Sequence, residues 1–189
     1  MPPHQRRPAT VREVKALGHP LRQRILRLCG QHELTNKQLA DRLGKDPGTV
    51  LHHVRQLVEA GLLEPAAVRT GESGALEKPY RSAGQSWWLD GGLDLADSEL
   101  APLEAFQAEL SEAGPAAIEI MDRFTLHLSP EQAAELERAI LTILDGYVET
   151  DSQRLDQPAL GGLFVLHRLA DAPAPPRPDS NGGPPLLSQ

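Results

Sequence analysis

The 189-residue sequence predicts an α+β fold that is mainly α. Three observations carry that prediction. Apolar residues recur at helical spacing in four runs between residues 10 and 61, each bounded by a capping residue or a glycine. After them, residues 66–82 hold two short extended pieces around the loop "TGESG", the pattern of a β-hairpin. Later, the alternating stretch "FTLHLS" and a second strand-like stretch, "GGLFVLHRLA", flank a helical run, which gives a β-α-β pattern.

The first nine residues are proline-rich and basic without apolar periodicity, and they read as a disordered arm. The first helical run starts at Thr10, with Val11, Val14 and Leu17, and pauses at Gly18. His19 and Pro20 restart it, since proline suits a first helical turn, and Leu21, Ile25, Leu28 and Cys29 repeat at helical spacing up to Gly30. Cys29 sits on that apolar stripe and reads as a core residue rather than a reactive thiol. Thr35 and Gln38 form a capping box ahead of Leu39, Ala40 and Leu43, and Gly44 ends the run. Asp46 then caps a longer helix with Pro47 at its first position, carrying Val50, Leu51, Val54, Leu57 and Val58 down to Gly61. A short helix, a glycine turn and a longer helix make a helix-turn-helix, in which Ala40 is small where the helices cross and Val50 fills the angle. The hairpin that follows is then a wing, and residues 10–90 form one winged helix-turn-helix domain.

Charge divides the chain in the same place. Residues 1–90 hold 14 Lys/Arg against 9 Asp/Glu, a balance of +5, while residues 91–189 hold 5 against 17, a balance of −12, together giving the net −7. Only the first part has the sign that phosphates attract. A single cysteine excludes an internal disulfide and the multi-cysteine zinc sites. No apolar run reaches the roughly 18 residues of a membrane span, and no apolar stretch follows the basic N-terminus, so a soluble, cytoplasmic protein without membrane association is expected. The sequence has no phosphate-cradling glycine loop, nucleophile elbow or metal-ligand cluster, so an enzyme is not expected and no cofactor is implied.

The adjacent pair His52 and His53 raises the question of metal binding. Neighbours on a helix diverge by about 100°, unlike a chelating pair at i, i+4. His53 falls toward the inward side, where its ring can pack. His52 falls outward beside Thr49, Arg55 and Gln56, an outer face of donors and acceptors suited to base edges and phosphates in a major groove about 12 Å wide. Arg69, Lys78 and Arg81 flank the hairpin, where they would lie beside the DNA backbone.

The segment from "ALGHPLRQRIL" through "LADRLGKDPGTVLHHVRQLVEAGLL" to the wing resembles the winged helix-turn-helix domain of ArsR-type bacterial transcription regulators, over about residues 10–90. The resemblance implies a homodimer that binds operator DNA and often represses, releasing when an effector binds. It places Thr49, His52, His53 and Arg55 on the recognition helix and Arg69, Lys78 and Arg81 on the wing. With Lys37 and Gln56 these make the candidate DNA-contacting set. Metal-sensing members carry a Cys-x-Cys type motif or His and carboxylate ligands on a terminal helix; this chain has only Cys29, so no metal site is expected.

Residues 91–170 read as a helical linker and a small β-α-β module serving dimerisation or effector binding. Residues 95–122 read as helix broken near Gly114 and Pro115, with Leu100, Leu103, Phe106 and Leu110 on one stripe that Ile118 and Met121 resume. Pro130 opens a helix through about Thr150 whose apolar face holds Ala133, Leu136, Ile140, Ile143, Leu144 and Tyr147, with Glu131, Glu135, Glu137 and Asp145 outward. Two strands and one helix are thin, because an isolated two-stranded sheet is marginal; pairing with a second copy or docking on the preceding helix would solve that. His127 and His167 come together if the two strands pair, or each is a single half-buried strand residue. Trp87 and Trp88 clamp the two parts, line an effector pocket, or pack in the core. Residues 171–189, rich in Pro and Gly, read as a disordered tail. The expected function is a sequence-specific regulator, a homodimeric repressor reading an inverted repeat in double-stranded DNA, with an unknown small molecule or protein as effector. The alternative is a winged-helix protein-interaction module without specific DNA binding.

Overall fold

The structure, a computed structural model, describes residues 6–71, 74–84, 86–90 and 100–170. It opens on a two-residue strand, β1 (Arg7–Pro8), followed by α1 (Val11–Leu17), α2 (Pro20–Gln31), α3 (Asn36–Leu43) and α4 (Pro47–Glu59). Local chemistry sets these boundaries. Thr10 with Glu13, and Thr35 with Gln38, form reciprocal capping boxes at α1 and α3, so two orphan donors are satisfied at each start. Asp46 Oδ1 accepts from the backbone N–H of Gly48 and Thr49, at 2.8 and 3.1 Å, and caps α4 ahead of Pro47. Gly44 ends α3 at φ 60°, a left-handed conformation that a β-carbon would strain. Gly30 does not stop α2, which runs on to Gln31 before His32 closes it.

The four helices share one core. Ile25, Leu39, Val50, Val54 and Leu57 are completely buried, and Ala40, Leu43, Leu62 and Leu63 pack around them. Ala40 lies where α3 and α4 approach, and Val50 fills the angle between them as the spacing predicts.

An antiparallel ribbon follows α4. Strand β2 (Leu63–Pro65) pairs with β5 (Tyr80–Ser82), and the ribbon continues outward as β3 (Arg69–Thr70) against β4 (Leu76–Glu77). A bridge between Leu34 and Tyr80 joins the ribbon to the segment between α2 and α3. A 3-10 turn at Ser86–Trp88 leads into β6 (Leu89–Asp90), which pairs in parallel with β1.

That pairing corrects the disordered arm. Residues 6–8 are ordered because Arg7 and Pro8 register with Leu89 and Asp90, the Arg7 guanidinium grips Glu13 at 2.5 Å, and Arg6 reaches Asp145 at 2.7 Å. Residues 1–5, 91–99 and 171–189 lie outside the described residues, and with them the start of the long helix expected from residue 95 and the C-terminal tail.

Helix α5 (Ala101–Ala113) lies against α2, burying Ala101 and Ala105, and ion pairs Arg24–Glu112 and Arg27–Glu109 tie the two helices. The helical stripe expected to resume at Ile118 does not form. Gly114 at φ 79° and the following Pro115 end α5, a single 3-10 turn follows at Pro115–Ala117, and residues 118–128 form no regular element. The last helix, α6 (Pro130–Glu149), starts at Ser129 in a third capping box and matches its predicted span. "FTLHLS" and "GGLFVLHRLA" join no ladder among the described residues.

Because Val50 is sealed between α3 and α4, Val50→Asp would place a carboxylate where nothing solvates it. The expected outcome is loss of the cooperative thermal transition of the first domain, a destabilisation on the order of 4 kcal/mol or more; circular dichroism against temperature measures it.

Candidate nucleic-acid interface

The helix-turn-helix turns one row of α4 inward and the opposite row outward. Thr49, His52 and Arg55 recur every third residue, a spacing that makes them neighbours along one helix face, and all three are exposed. Arg55 makes no hydrogen bond or ion pair with the described residues. Lys37 on α3 is exposed as well, and Asn36 Nδ2 donates to the Pro47 carbonyl at 2.9 Å, holding the start of α3 to the start of α4. Two further exposed cations, Arg42 and Lys45, stand at the turn between the helices. The sequence reading passed over them, although their position beside Gly44 was a signal already present.

His53 does not share this face. It is buried, its ring centroid 4.4 Å from that of His19, with Arg22 Nη1 3.4 Å from its Nδ1. Its place among the DNA-contacting residues is therefore corrected: the inward side of α4 that holds Val50, Val54 and Leu57 also takes this ring. Burial, with Arg22 and the two neighbouring histidines adding positive charge, pushes its pKa down to about 4. His19 is shifted down as well, mainly by burial. Gln56 is half-buried, and its Oε1 accepts from Arg22 Nη1 at 2.8 Å, so one end of this side chain is committed to the domain itself.

Arg22 organises this seam. Its Nε donates to the Ala16 carbonyl at 2.5 Å and its Nη2 to the Lys15 carbonyl at 2.6 Å, satisfying carbonyls that the end of α1 leaves open. Gln23 does the same for Leu17 at 2.7 Å.

On the ribbon, Arg69, Lys78 and Arg81 are all exposed. Arg69 Nε donates to Glu77 at 3.0 Å and Arg81 Nε to Glu64 at 2.7 Å. Exposed pairs of this kind contribute only about 0–1 kcal/mol, so an external anion can compete with either carboxylate.

The remaining sequence candidates separate. Trp87 Nε1 donates to Asp145 at 2.8 Å, and the Arg6 guanidinium lies 4.9 Å from the Trp87 ring and 5.8 Å from that of Trp88. Trp87 thus joins the end of the ribbon to α6, and Trp88 is buried. His127 and His167 are exposed on segments that do not pair, so the structure does not bring them together; His167 Nδ1 lies 3.1 Å from the Arg168 carbonyl oxygen. Among the described residues no group of three or more His, Cys, Asp or Glu could hold a metal ion. Burial raises the Cys29 thiol to about 12, which leaves it protonated and unreactive. Among the same residues no helix is long and apolar enough to cross a membrane.

Residues 17–66 match a family model described as a helix-turn-helix domain, the span from the end of α1 through β2. A helix-turn-helix domain supports a DNA-binding regulator. Comparison with curated proteins returns no match.

The His53 shift has a signed consequence. Its folded pKa lies below the ordinary 6.5, so between pH 6.5 and about 4 the unfolded chain takes up a proton that the folded chain refuses. Stability is full above pH 6.5 and falls as pH drops toward 4, by a loss on the order of 2 kcal/mol. Melting temperature measured against pH should show this acid limb in the native chain and a flatter one in His53→Gln.

Proposed function

We propose that the chain is a sequence-specific DNA-binding transcription regulator of the ArsR-like kind, with α4 as recognition helix in the major groove and the ribbon as a wing on the flanking backbone. The observation that carries this reading is the division of α4: three fully buried residues, Val50, Val54 and Leu57, fix its rotation, and the row Thr49, His52, Arg55 stands exposed on the other side. Lys37, Arg42 and Lys45 flank the same end of α4, and Arg69, Lys78 and Arg81 extend the basic residues along the ribbon. Arg55 and His52 would read base edges, while Lys37, Lys78 and the ribbon arginines would position the backbone.

In this reading the protein acts as a homodimeric repressor in a bacterial cytoplasm, without a catalytic step. Twofold symmetry makes its operator an inverted repeat with half-sites about one helical turn, ~34 Å, apart. The test is selection of genomic fragments by the purified protein at several salt concentrations. One recovered inverted repeat, bound with affinity that falls steeply with salt, supports the reading; an absence of enrichment at every salt concentration removes it.

Two substitutions test the face. Arg55→Ala and His52→Ala should each weaken binding to the selected operator about 10-fold, within the range for one lost base contact, while the melting temperature stays unchanged. Lys78→Ala should weaken all sequences alike and reduce the slope of log affinity against log salt by about 1. Full affinity in both Arg55→Ala and His52→Ala would sink the assignment of this face.

A further inference from the structure

The second half holds an apolar surface that the described residues do not cover. Between Ile118 and Leu169, 17 large apolar residues are more than a third exposed, among them Ile120 at 81%, Met121 at 72% and Tyr147 at 65%. None of the twenty residues of α6 is buried, although its sequence has a continuous apolar face. Folded monomers rarely leave contiguous apolar patches beyond a few hundred Å².

The backbone beside α6 is equally incomplete. Residues 119–128 and 158–169 form no regular element, and among the described residues no backbone hydrogen bond joins either segment to a strand. In the first, Phe124, Leu126 and Leu128 alternate with Arg123, Thr125 and His127, a period of two that suits one buried face, and Ile118 and Ile120 keep the same register across the interruption at Met121 and Asp122. In the second, Leu163, Phe164, Val165 and Leu166 are apolar in succession, as for a strand covered on both sides. Phe164 and Leu166 line an open cleft with Ala133, Ala134 and Glu137 of α6, so this segment crosses the first turns of the helix without closing over it.

We infer that this surface pairs with the same surface of a second copy, the two segments of each chain completing one sheet across the twofold axis, with the apolar faces of both α6 helices covering it. The inference rests on the homodimer of the proposed function and names the interface that makes it. Two arguments select a second copy as occupant. A stable interface takes about 800 Å² and roughly 20–30 residues from each partner, and 17 large apolar residues per chain supply an interface core of that size. Charge also permits self-pairing. Although residues 91–189 carry −12, residues 118–129 carry Glu119, Asp122 and Arg123, or −1, and residues 158–169 carry only Arg168, or +1. The segments that would meet are together neutral, so like charges do not oppose their pairing.

The experiment is light scattering of the full chain after size exclusion at tens of micromolar, for the native sequence, Leu126→Lys, Leu166→Lys and Thr125→Pro. All three positions are exposed in the single chain, so its fold tolerates the changes. Thr125→Pro removes a backbone donor that pairing would use. The expected result is twice the 20.6 kDa chain mass for the native protein and a single chain mass for each variant. Amide exchange gives a second readout: residues 119–128 and 158–169 should be protected in the native protein and lose that protection on dilution. A native dimer that all three variants preserve would overturn this interface and leave the homodimer of the proposed function standing. A native protein that is monomeric while still binding its operator would overturn the interface and the dimer together, leaving DNA binding intact. Rapid exchange in both segments within a native dimer would also overturn it.

Discussion

The rest of the first domain depends on the seating of the α4 inner face. Val50, Val54 and Leu57 stand at i, i+4 and i+7 and all are completely buried, against Leu39 and Ala40 of α3 and Ile25 of α2. Burying each such side chain is worth about 1.5–3 kcal/mol, so the three together hold the helix against rotation. Turning α4 by one residue, about 100°, would carry Arg55 toward the core and lift an aliphatic side chain into water. The exposed row Thr49, His52, Arg55 is thus a consequence of packing. Among the described residues Arg55 makes no hydrogen bond or ion pair and His52 only an edge contact with the His53 ring at 5.5 Å, which leaves the row open to contacts with a partner.

A polar seam locks the same helix from the side. Arg22 is buried, and a buried guanidinium is tolerated only with its donors occupied. The carbonyls of Lys15 and Ala16 occupy two, at the negative end of α1, and Gln56 on α4 takes a third. One side chain therefore closes α1, crosses to α4 and sits beside His53, where its charge adds to the burial that lowers the pKa of that imidazole. The seam couples α1, α2 and α4 through groups whose geometry is more directional than the apolar contacts beneath them.

The sequence made the first domain legible because its signals are local. Thr10, Thr35 and Asp46 each cap the helix they precede, and Gly44 takes the left-handed turn that separates α3 from α4. The inward place of His53 followed from the same periodicity that placed Val50. What stayed hidden was long-range. The order of the N-terminal arm depends on Arg6 meeting Asp145, a residue 139 positions away, and on β1 finding β6. No local pattern announces either. The end of α5 was marked by Gly114 and Pro115, but the apolar residues beyond them fit a helical and an extended period alike, and Ile118 and Met121 were read on the wrong one. Neither β-strand expected in the second half joins a ladder among the described residues, because strand periodicity reveals which face wants burial without revealing what will cover it.

Charge sorting constrains how such a protein can approach a duplex. Of the 14 basic residues in the first 90, Arg6, Arg7, Arg22, Arg24 and Arg27 are tied to the chain's own carboxylates and carbonyls, and two of these pairs fasten α5 onto α2. Helix α2 lies on the core side of α4, away from the exposed row, so the acidic helix α5, with Glu109 and Glu112, docks behind the domain. The exposed cations with no such role among the described residues are Lys15 on α1 and Lys37, Arg42, Lys45, Arg55 and Lys78, and the last five stand on α3, the turn, α4 and the ribbon. A balance of +5 averaged over the domain therefore understates the polarity of its outer face. Phosphates within a Debye length, about 8 Å at physiological salt, would meet that basic face with the acidic helix α5 held behind it.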